Sequence, residues 1–334
     1  MKKAKHILVT GGAGFIGAHL VERLLKDGKT VVVIDDLSTG SRDNLRAVAK
    51  DRNFRFIQSK ISSCEDLPEL AAGAEFIFHL AATVGVELVV QSALHVLEAS
   101  FSETQILLRA AAKNSTPLLL TSTSEVYGKS AKPEFSEDDD LLIGPPGHSR
   151  WSYACSKLTD EFLALAYARE KKLPVTIARL FNTVGPRQTG RYGMVLPRFI
   201  AAAKAGEPLK VFGDGAQSRC FCLVHDVVEA LVRLQKRGGD ALGAEREDDG
   251  ASSPPFGEIF NIGGTEEVSM LELAQLVVAT LGSKSKIELI PYDQAYAPGF
   301  DDMRRRKPLV EKLERCVQFK PQTSLREIIR LTAG

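Results

Sequence analysis

The feature that most constrains the fold of this chain is a glycine-rich segment near its start, Thr10-Gly11-Gly12-Ala13-Gly14-Phe15-Ile16-Gly17. It follows a short apolar run, His6–Thr10, and precedes a helical pattern of about Phe15–Lys26. In a strand–turn–helix unit of this kind, glycines let the backbone approach a pyrophosphate closely, and the helix N-terminus stabilises the phosphate charge. The segment therefore predicts a Rossmann unit that binds a dinucleotide.

Apolar and β-branched runs alternate with helical patterns through the first half of the chain, which is typical of a parallel sheet. The predicted strands are Thr30–Ile34, Phe54–Gln58, Glu75–Leu80, Leu118–Thr121 and Val175–Arg179, with helices at about 93–113 and 153–171. After about Asn182, Gly, Pro and Arg become more frequent, and the predicted strands are short, at Leu209–Phe212 and Phe221–Val224. A helix is predicted at about Asp226–Gln235. We expect an α/β fold: a Rossmann doubly wound parallel sheet with a smaller C-terminal α/β domain. The predicted domains are 1–181, which also receives about 224–264, and 182–334.

Charge and composition exclude several classes of function. The formal net charge is only +1, so the chain has no basic field for nucleic acid or a membrane surface. No stretch approaches the roughly 20 apolar residues of a membrane span. The five cysteines are an odd number without metal-ligand spacing, which disfavours a disulfide framework and a metal site. We expect a cytoplasmic protein without nucleic-acid, membrane or metal partners.

An acidic residue at the end of the second predicted strand indicates which dinucleotide is bound. Asp35, followed by Asp36, lies about 20 residues beyond the glycine turn. A carboxylate there accepts hydrogen bonds from the adenosine ribose and repels a 2′-phosphate. The sequence therefore favours NAD over NADP.

A tyrosine and a lysine lie four residues apart in Tyr153-Ala154-Cys155-Ser156-Lys157, so they share one face of the predicted helix. An ammonium beside a phenol favours the phenolate, and we expect Lys157 to lower the pKa of Tyr153. Such a tyrosine can take a proton from a substrate hydroxyl while hydride leaves the carbon. The run Leu118–Ser124, followed by Glu125, brings hydroxyls to the sheet edge where ligands bind in such folds.

Together these features resemble the extended short-chain dehydrogenase/reductases, and in particular their NAD-dependent nucleotide-sugar epimerases, dehydratases and decarboxylases. The resemblance covers nearly the whole chain. Further segments that carry it are His79-Leu80-Ala81-Ala82, Arg179-Leu180-Phe181-Asn182-Thr183-Val184-Gly185-Pro186-Arg187, Phe212-Gly213-Asp214-Gly215 and Asn261-Ile262-Gly263.

The resemblance implies a role for each matching residue. Tyr153 is the acid/base, Lys157 holds the nicotinamide ribose, Thr123 binds the sugar 4-hydroxyl, and Ser124 and Glu125 complete the catalytic set. It implies NAD contacts from Gly11, Gly14, Phe15, Ile16, Gly17, Asp35, Asp36, Leu37, Ser38, Thr39, Gly40, Lys60, Ile61, Leu80, Ala81, Ala82, Tyr153 and Lys157. It implies UDP-sugar contacts in the C-terminal domain and at the sheet edge from Thr123, Ser124, Asn182, Arg191, Val195, Lys210, Phe212, Arg219, Asp302 and Arg306.

Two further implications concern the adenine and the assembly. Lys60 stands where the family usually has an aspartate facing the adenine, so a carboxylate–adenine hydrogen bond is lost there. The helices of about 93–113 and 153–171 would pair in a homodimer.

The segment before Val126-Tyr127-Gly128 bears on the reaction. Sugar 4,6-dehydratases usually have Thr-Asp-Glu there, whereas this chain has Thr123-Ser124-Glu125. Ser124 is a poor acid, which disfavours elimination of water. This triplet and Arg306-Lys307-Pro308 resemble UDP-glucuronate decarboxylases. The short loop Arg187–Val195 instead resembles UDP-glucuronate 4-epimerases and offers Arg191 to the sugar carboxylate.

From this loop we expect a UDP-glucuronate 4-epimerase that works through a 4-keto intermediate. The alternatives are a UDP-glucuronate decarboxylase that makes UDP-xylose or a 4-keto-pentose, and a UDP-glucose 4-epimerase. A non-catalytic NAD-sensing or scaffold protein is disfavoured because Tyr153 and Lys157 are both present.

Overall fold

A computed structural model describes residues 5–82, 93–148, 151–190, 194–243, 255–291 and 303–334. In these ranges the main sheet has seven parallel strands. Its strands in chain order are β1 His6–Thr10, β2 Val31–Asp35, β3 Phe54–Gln58, β4 Ala74–His79, β5 Leu118–Thr123, β6 Val175–Leu180 and β11 Glu258–Ile262. Four shorter strands lie between the last two in the chain and belong to other sheets.

The order of strands across the sheet is β11-β6-β5-β4-β1-β2-β3, and neighbouring strands are parallel throughout. The chain leaves β1 toward one side of the sheet and β4 toward the other, so these two neighbours flank the point where the order reverses. In open α/β sheets, ligands bind in the crevice outside the carboxyl ends of such strands. The topology thus places the segments after β1 and β4 together.

Helices cover both faces of the sheet. The larger helices of this part are α1 Phe15–Lys26, α2 Leu67–Gly73, α3 Ala93–Ala112, α4 Trp151–Lys171 and α6 Val224–Gly243. On one face Leu24 of α1 and Leu231 of α6 share a buried cluster with Val9. On the other face Leu107 of α3 and Ala164 of α4 pack with alternate residues of the same strands, among them Leu8 and Ile77. This arrangement confirms the predicted doubly wound α/β fold.

The remaining elements contribute mainly to a third apolar cluster, and one of them, the helix of Leu313 and Val317, packs instead in the cluster with Leu24. They are β7 Thr183–Val184, α5 Val195–Ala205, β8 Leu209–Phe212, β9 Ser218–Cys220, β10 Cys222–Leu223, β12 Glu267–Ser269, α7 Met270–Leu281, β13 Ile287–Ile290, α8 Glu311–Val317 and α9 Leu325–Ala333. Phe199, Leu273 and Ile328 of three helices are buried together there. The division of the chain at residue 181 stays a prediction.

Across the described ranges, no helix combines the length and the apolar character needed to cross a bilayer.

Candidate active site

The carboxyl edge of the main sheet opens into a cavity of about 920 Å³ that extends to the C-terminal elements. Its walls come from the glycine turn after β1, the ends of β2, β4 and β5, the face of α4, and side chains of α5, β8 and β9. An elongated cavity at this edge of the sheet suits an extended ligand such as a dinucleotide beside a second substrate.

The glycine turn has the close backbone approach that a pyrophosphate site requires. Gly11 has a φ of 74°, and a Cβ there would lie 2.6 Å from the backbone nitrogen of Ala81, just after β4. At Gly17, in the first turn of α1, a Cβ would lie 2.2 Å from the carbonyl oxygen of Gly11. The turn is therefore a cradle that any side chain would fill, and it fits the dinucleotide predicted from the sequence. The left-handed residue is Gly11 rather than Gly12, whose Cα faces the Val33 side chain instead.

Asp35 links the end of β2 to the glycine turn. Its carboxylate is 8 % exposed and accepts hydrogen bonds from the backbone N–H groups of Ala13 at 2.9 Å and Leu37 at 2.8 Å. Burial raises the pKa of this carboxyl above its ordinary value. Each oxygen keeps a second lone pair, so the same carboxylate can accept from a ribose hydroxyl at the cavity wall.

The structure brings all but one of the predicted cofactor residues to the cavity wall. Those that line it are Gly11, Gly14, Phe15, Ile16, Gly17, Asp35, Asp36, Ser38, Thr39, Gly40, Lys60, Ile61, Leu80, Ala81, Ala82, Tyr153 and Lys157. The exception is Leu37, which is absent from the lining and packs against the apolar core around α1. Its left-handed backbone, with φ of 63°, turns the side chain to that core, and its N–H serves Asp35.

Tyr153 lies in the first turn of α4, opposite the end of β5. Its side chain is hydrogen-bonded to that of Thr123, so the two residues predicted to bind the sugar 4-hydroxyl are in direct contact. Burial, and after it the negative charge of Glu125, raise the pKa of Tyr153 well above its ordinary value. The expectation of a lowered pKa for Tyr153 is wrong, because burial and the charge of Glu125 raise it.

Lys157 lies one turn after Tyr153 and is also buried, with 3 % of its side chain exposed. Its ammonium is 3.1 Å from Oδ2 of Asp160, which is fully buried. The sequence reasoning did not weigh Asp160, although its position three residues after Lys157 on a helix places it within reach. The lysine therefore enters the cavity as one half of a buried ion pair.

A second ion pair lies at the cavity wall after the end of β5. The strand β5 ends in a 3-10 turn, Ser124–Tyr127, in which the Thr123 hydroxyl accepts the backbone N–H of Glu125 at 3.3 Å. This turn points Glu125 at the cavity, where its carboxylate is 2.6 Å from Nη2 of Arg306. The side chains are 21 % and 9 % exposed, so the pair is largely shielded from water.

The predicted substrate residues reach the far end of the cavity. Phe212 at the end of β8 lies 5.0 Å under the guanidinium of Arg198, and Arg219 on β9 is 8 % exposed. The Asn182 amide donates to the carbonyl of Cys220 at 2.7 Å. The cavity lining includes Thr123, Ser124, Glu125, Asn182, Val195, Lys210, Phe212, Arg219 and Arg306. Arg191 and Asp302, two further predicted contacts, lie outside the described residues.

Several cavity residues were missed by the sequence reasoning. Ser100 and Glu103 enter from α3, and the Glu103 carboxylate accepts hydrogen bonds from the backbone N–H and the hydroxyl of Ser62. Arg187, Gln188, Arg198 and Gln217 line the substrate end. The sequence gives little sign of Ser100 and Glu103, because α3 shows only an amphipathic pattern. Which of its residues face the cavity depends on how the helix packs.

Metal chemistry finds no support in the described ranges, where no cluster of three or more His, Cys, Asp or Glu side chains is placed to hold an ion.

Comparison with known proteins identifies the class that this fold and site define. Residues 7–263 match the NAD dependent epimerase/dehydratase family, and the chain belongs to that family. NAD, the cofactor predicted from the glycine turn and Asp35, is therefore the cofactor of this chain's family, and the predicted resemblance is confirmed.

Individual relatives differ in the reaction that their names give. The chain is 40 % identical to a UDP-N-acetyl-alpha-D-glucosaminuronate decarboxylase of Bacillus cytotoxicus, over 98 % of this chain and 96 % of that protein. It is 34 % identical to UDP-glucuronic acid decarboxylase 2 of Arabidopsis thaliana, over 98 % of this chain and 67 % of that protein. Among solved structures, the UDP-glucuronic acid 4-epimerase of Bacillus cereus, in complex with UDP-glucuronic acid and NAD, superposes with a TM-score of 0.82. It is 29 % identical, and 98 % of each chain is covered.

Proposed function

We propose that this chain oxidises a UDP-linked uronic acid at C4 and then releases the sugar carboxylate as CO₂. The observation that carries the proposal is the ion pair between Glu125 and Arg306, 2.6 Å apart at the cavity wall beside Tyr153. A guanidinium here gives a uronate carboxylate a cation to bind.

The first step uses the side chains at the end of β5 and the start of α4. The Thr123 hydroxyl and the Tyr153 phenol, which touch each other, together form a seat for the sugar O4. When bound, NAD would supply the acceptor for the C4 hydride and a positive charge. That charge and the ammonium of Lys157 favour the phenolate, which burial and the charge of Glu125 disfavour. Tyr153 then takes the proton of O4, and the product of this step is a 4-keto uronate.

The second step follows from the chemistry of that intermediate. A 4-keto uronate is a β-keto acid, whose C5–C6 bond breaks when the carboxylate stands perpendicular to the carbonyl plane. The electron pair of that bond moves toward the C4 oxygen, CO₂ leaves, and the enolate takes a proton from solvent at C5. The resulting 4-keto-pentose is either released or reduced again at C4 by the hydride removed in the first step. Glu125 lies beside the cation that would hold this carboxylate, so its negative charge repels the bound substrate, and the repulsion ends when neutral CO₂ departs.

The sequence relatives support this choice over the 4-epimerase expected from the Arg187–Val195 loop. The decarboxylase of Bacillus cytotoxicus is similar over almost the full length of both chains. In addition, Glu125 pairs with Arg306, the described cation that an epimerase would use to hold the sugar carboxylate in the plane of the carbonyl. The name of that relative adds an N-acetylated uronate to the candidate substrates, beside UDP-glucuronate.

A UDP-glucuronate 4-epimerase remains the second candidate. It is favoured by the likeness of the fold to the Bacillus cereus 4-epimerase and by the short loop after Pro186. Both candidates share the first step and the same seat for O4, and they diverge only in how the substrate carboxylate is held.

Product analysis separates the two candidates. The purified protein and NAD are incubated in two parallel reactions, one with UDP-glucuronate and one with UDP-N-acetylglucosaminuronate. The nucleotide sugars are then examined by mass spectrometry. Decarboxylation gives a product lighter by one CO₂ when C4 is reduced again, or by CO₂ and two hydrogens when the 4-keto-pentose is released. Epimerisation gives a product of unchanged mass with a new chromatographic position. Absence of both products, with NAD bound, would refute the proposal. The Tyr153→Phe variant should give neither product.

A further inference from the structure

Asp160 is a fully buried carboxylate that touches Lys157. Its Oδ2 accepts hydrogen bonds from the Lys157 ammonium at 3.1 Å and from the Ser100 hydroxyl of α3 at 2.9 Å. Among the described residues, Oδ1 has no hydrogen-bond donor. Oδ2 thus accepts both of the hydrogen bonds that the described residues donate to this carboxylate.

A buried charge needs a partner of opposite charge, because removal of an ion from water is costly. The pair between Lys157 and Asp160 meets that need for both side chains, which are 3 % and 0 % exposed. Ser100 ties the carboxylate to the neighbouring helix, so the ammonium is held from α4 and α3 together. This geometry leaves Lys157 little freedom of position.

We propose that Asp160 is a positioning residue: it fixes the Lys157 ammonium at the cavity wall, and its charge helps to set the pH range in which Tyr153 exchanges its proton. The inference rests on the proposed roles of Tyr153 and Lys157, but it does not depend on whether decarboxylation or epimerisation follows.

Besides Asp160, four ionisable groups lie near Tyr153 or Lys157. Glu125 at the end of β5 raises the pKa of Tyr153, and Arg306 is its counter-ion. Lys157 lies on the same helix. His79 at the end of β4 stands between the hydroxyls of Thr10 and Thr104, and burial, helped by the charge of Lys157, lowers its pKa to about 3. His79 is therefore neutral at any working pH.

Loss of the Asp160 charge acts on Tyr153 in one direction. The carboxylate itself raises the pKa of Tyr153, after burial and Glu125, and it also offsets the positive charge of Lys157. Asp160→Asn keeps the shape and an acceptor oxygen but removes the charge. The pKa of Tyr153 should fall, and the acid limb of the kcat profile should move to lower pH by about one unit.

The test compares the wild type with Asp160→Asn and with Asp27→Asn, which removes the same charge from an exposed ion pair on α1. Two readouts are used: the pH profile of kcat with a UDP-uronate, and the tyrosinate absorbance of each protein minus that of its Tyr153→Phe form. The proposal expects both to shift to lower pH in Asp160→Asn and neither to shift in Asp27→Asn. An unshifted Tyr153 titration in folded Asp160→Asn would overturn it.

A second variant covers the case in which Asp160→Asn does not fold. Asp160→Glu keeps the charge but displaces the carboxylate, so kcat should fall while the acid limb stays in place. An unaltered kcat would overturn the positioning role. If the wild type turns over no UDP-uronate, the proposed function fails, and the tyrosinate titration still tests Asp160.

Discussion

Glu125 and Arg306 come from distant parts of the chain and meet 2.6 Å apart at the cavity wall, where the charge of Glu125 acts on Tyr153. The phenol therefore feels carboxylates of two ion pairs, Glu125 with Arg306 and Asp160 with Lys157. Under the proposed function, the pair of Glu125 and Arg306 is the described feature that favours a uronate over a neutral hexose.

Loss of the Arg306 guanidinium should weaken turnover of a uronate selectively. Arg306→Ala removes a charge-assisted contact and leaves Glu125 without its counter-ion, so kcat/KM for the UDP-uronate should fall by about ten- to hundredfold or more. The matched control is Arg304→Ala, an exposed neighbour two residues earlier, which should retain wild-type rates. Steady-state kinetics of both variants make the comparison, and equal rates for the two would contradict the assigned contact.

The glycine turn should tolerate no side chain at Gly17. In Gly17→Ala the new Cβ would meet the Gly11 carbonyl at 2.2 Å, so the turn must open and NAD should no longer bind. Titration calorimetry with NAD measures the loss, with thermal unfolding as a check on the fold. Gly239→Ala, in α6 with open space around the new methyl, is the control and should bind NAD like the wild type. Retained NAD affinity in folded Gly17→Ala would show that the cofactor lies elsewhere.

The buried His19 of α1 should make the protein sensitive to acid. Its Nε2 donates to the Pro186 carbonyl at 3.0 Å, its Nδ1 accepts from Arg187 at 2.8 Å, and burial lowers its pKa to about 4. Because the unfolded chain takes up this proton near its ordinary pKa of about 6.5, the stabilisation is complete above that value. It is lost as the pH falls toward 4 and amounts to about 3 kcal/mol.

Denaturant unfolding between pH 7 and pH 4 measures this effect. The free energy of unfolding of His19→Gln should depend less steeply on pH than that of the wild type, since the variant has no group to protonate at this position. Identical slopes would exclude His19 as the source of the acid sensitivity.

The paired helices α3 and α4 should form a homodimer interface. Their exposed side includes Leu94, Leu97 and Phe101 of α3 and Phe162 of α4, which is 64 % exposed. Phe162→Asp puts a charge into this face and should shift the protein from dimer to monomer in light scattering. Leu289→Asp changes an equally exposed leucine of β13 and should stay dimeric. A monomeric wild type would contradict the assignment.

The sequence predicted the first half of the fold well because its signals are local. The bounds of β1, α1 and β3 agree with the prediction to the residue, since a strand, a glycine turn and a helix N-terminus are encoded by neighbouring residues. The carboxyl-edge location of Thr123 was predicted from the parallel topology.

Prediction failed where tertiary contacts decide the outcome. The segment Phe221–Val224 was expected to be one strand, but Cys222–Leu223 pairs with β7, Ser218–Cys220 pairs with β12, and Val224 begins a helix. The helix α6 was expected to end near Gln235 and instead continues to Gly243, with Gly238 packed against the ring of Phe256. No local sequence pattern predicts contacts between residues so far apart in the chain.

The sequence predicted many of the residues that line the candidate site but not their electrostatic environment. Tyr153 and Lys157 are visible as a helical pair, whereas the raised pKa of Tyr153 depends on burial and on Glu125, which only packing reveals. In the same way Leu37, counted among the cofactor contacts from its place after Asp35, turns to the core because its backbone is left-handed.

The central claim is that the sugar carboxylate leaves as CO₂ after oxidation initiated at Tyr153. It is tested most directly with UDP-glucuronate, and in parallel its N-acetylated counterpart, labelled isotopically at the carboxyl carbon. The account predicts labelled CO₂ from the wild type with NAD and none from Tyr153→Phe. Complete retention of the label in the nucleotide sugar by an active wild-type enzyme would contradict it.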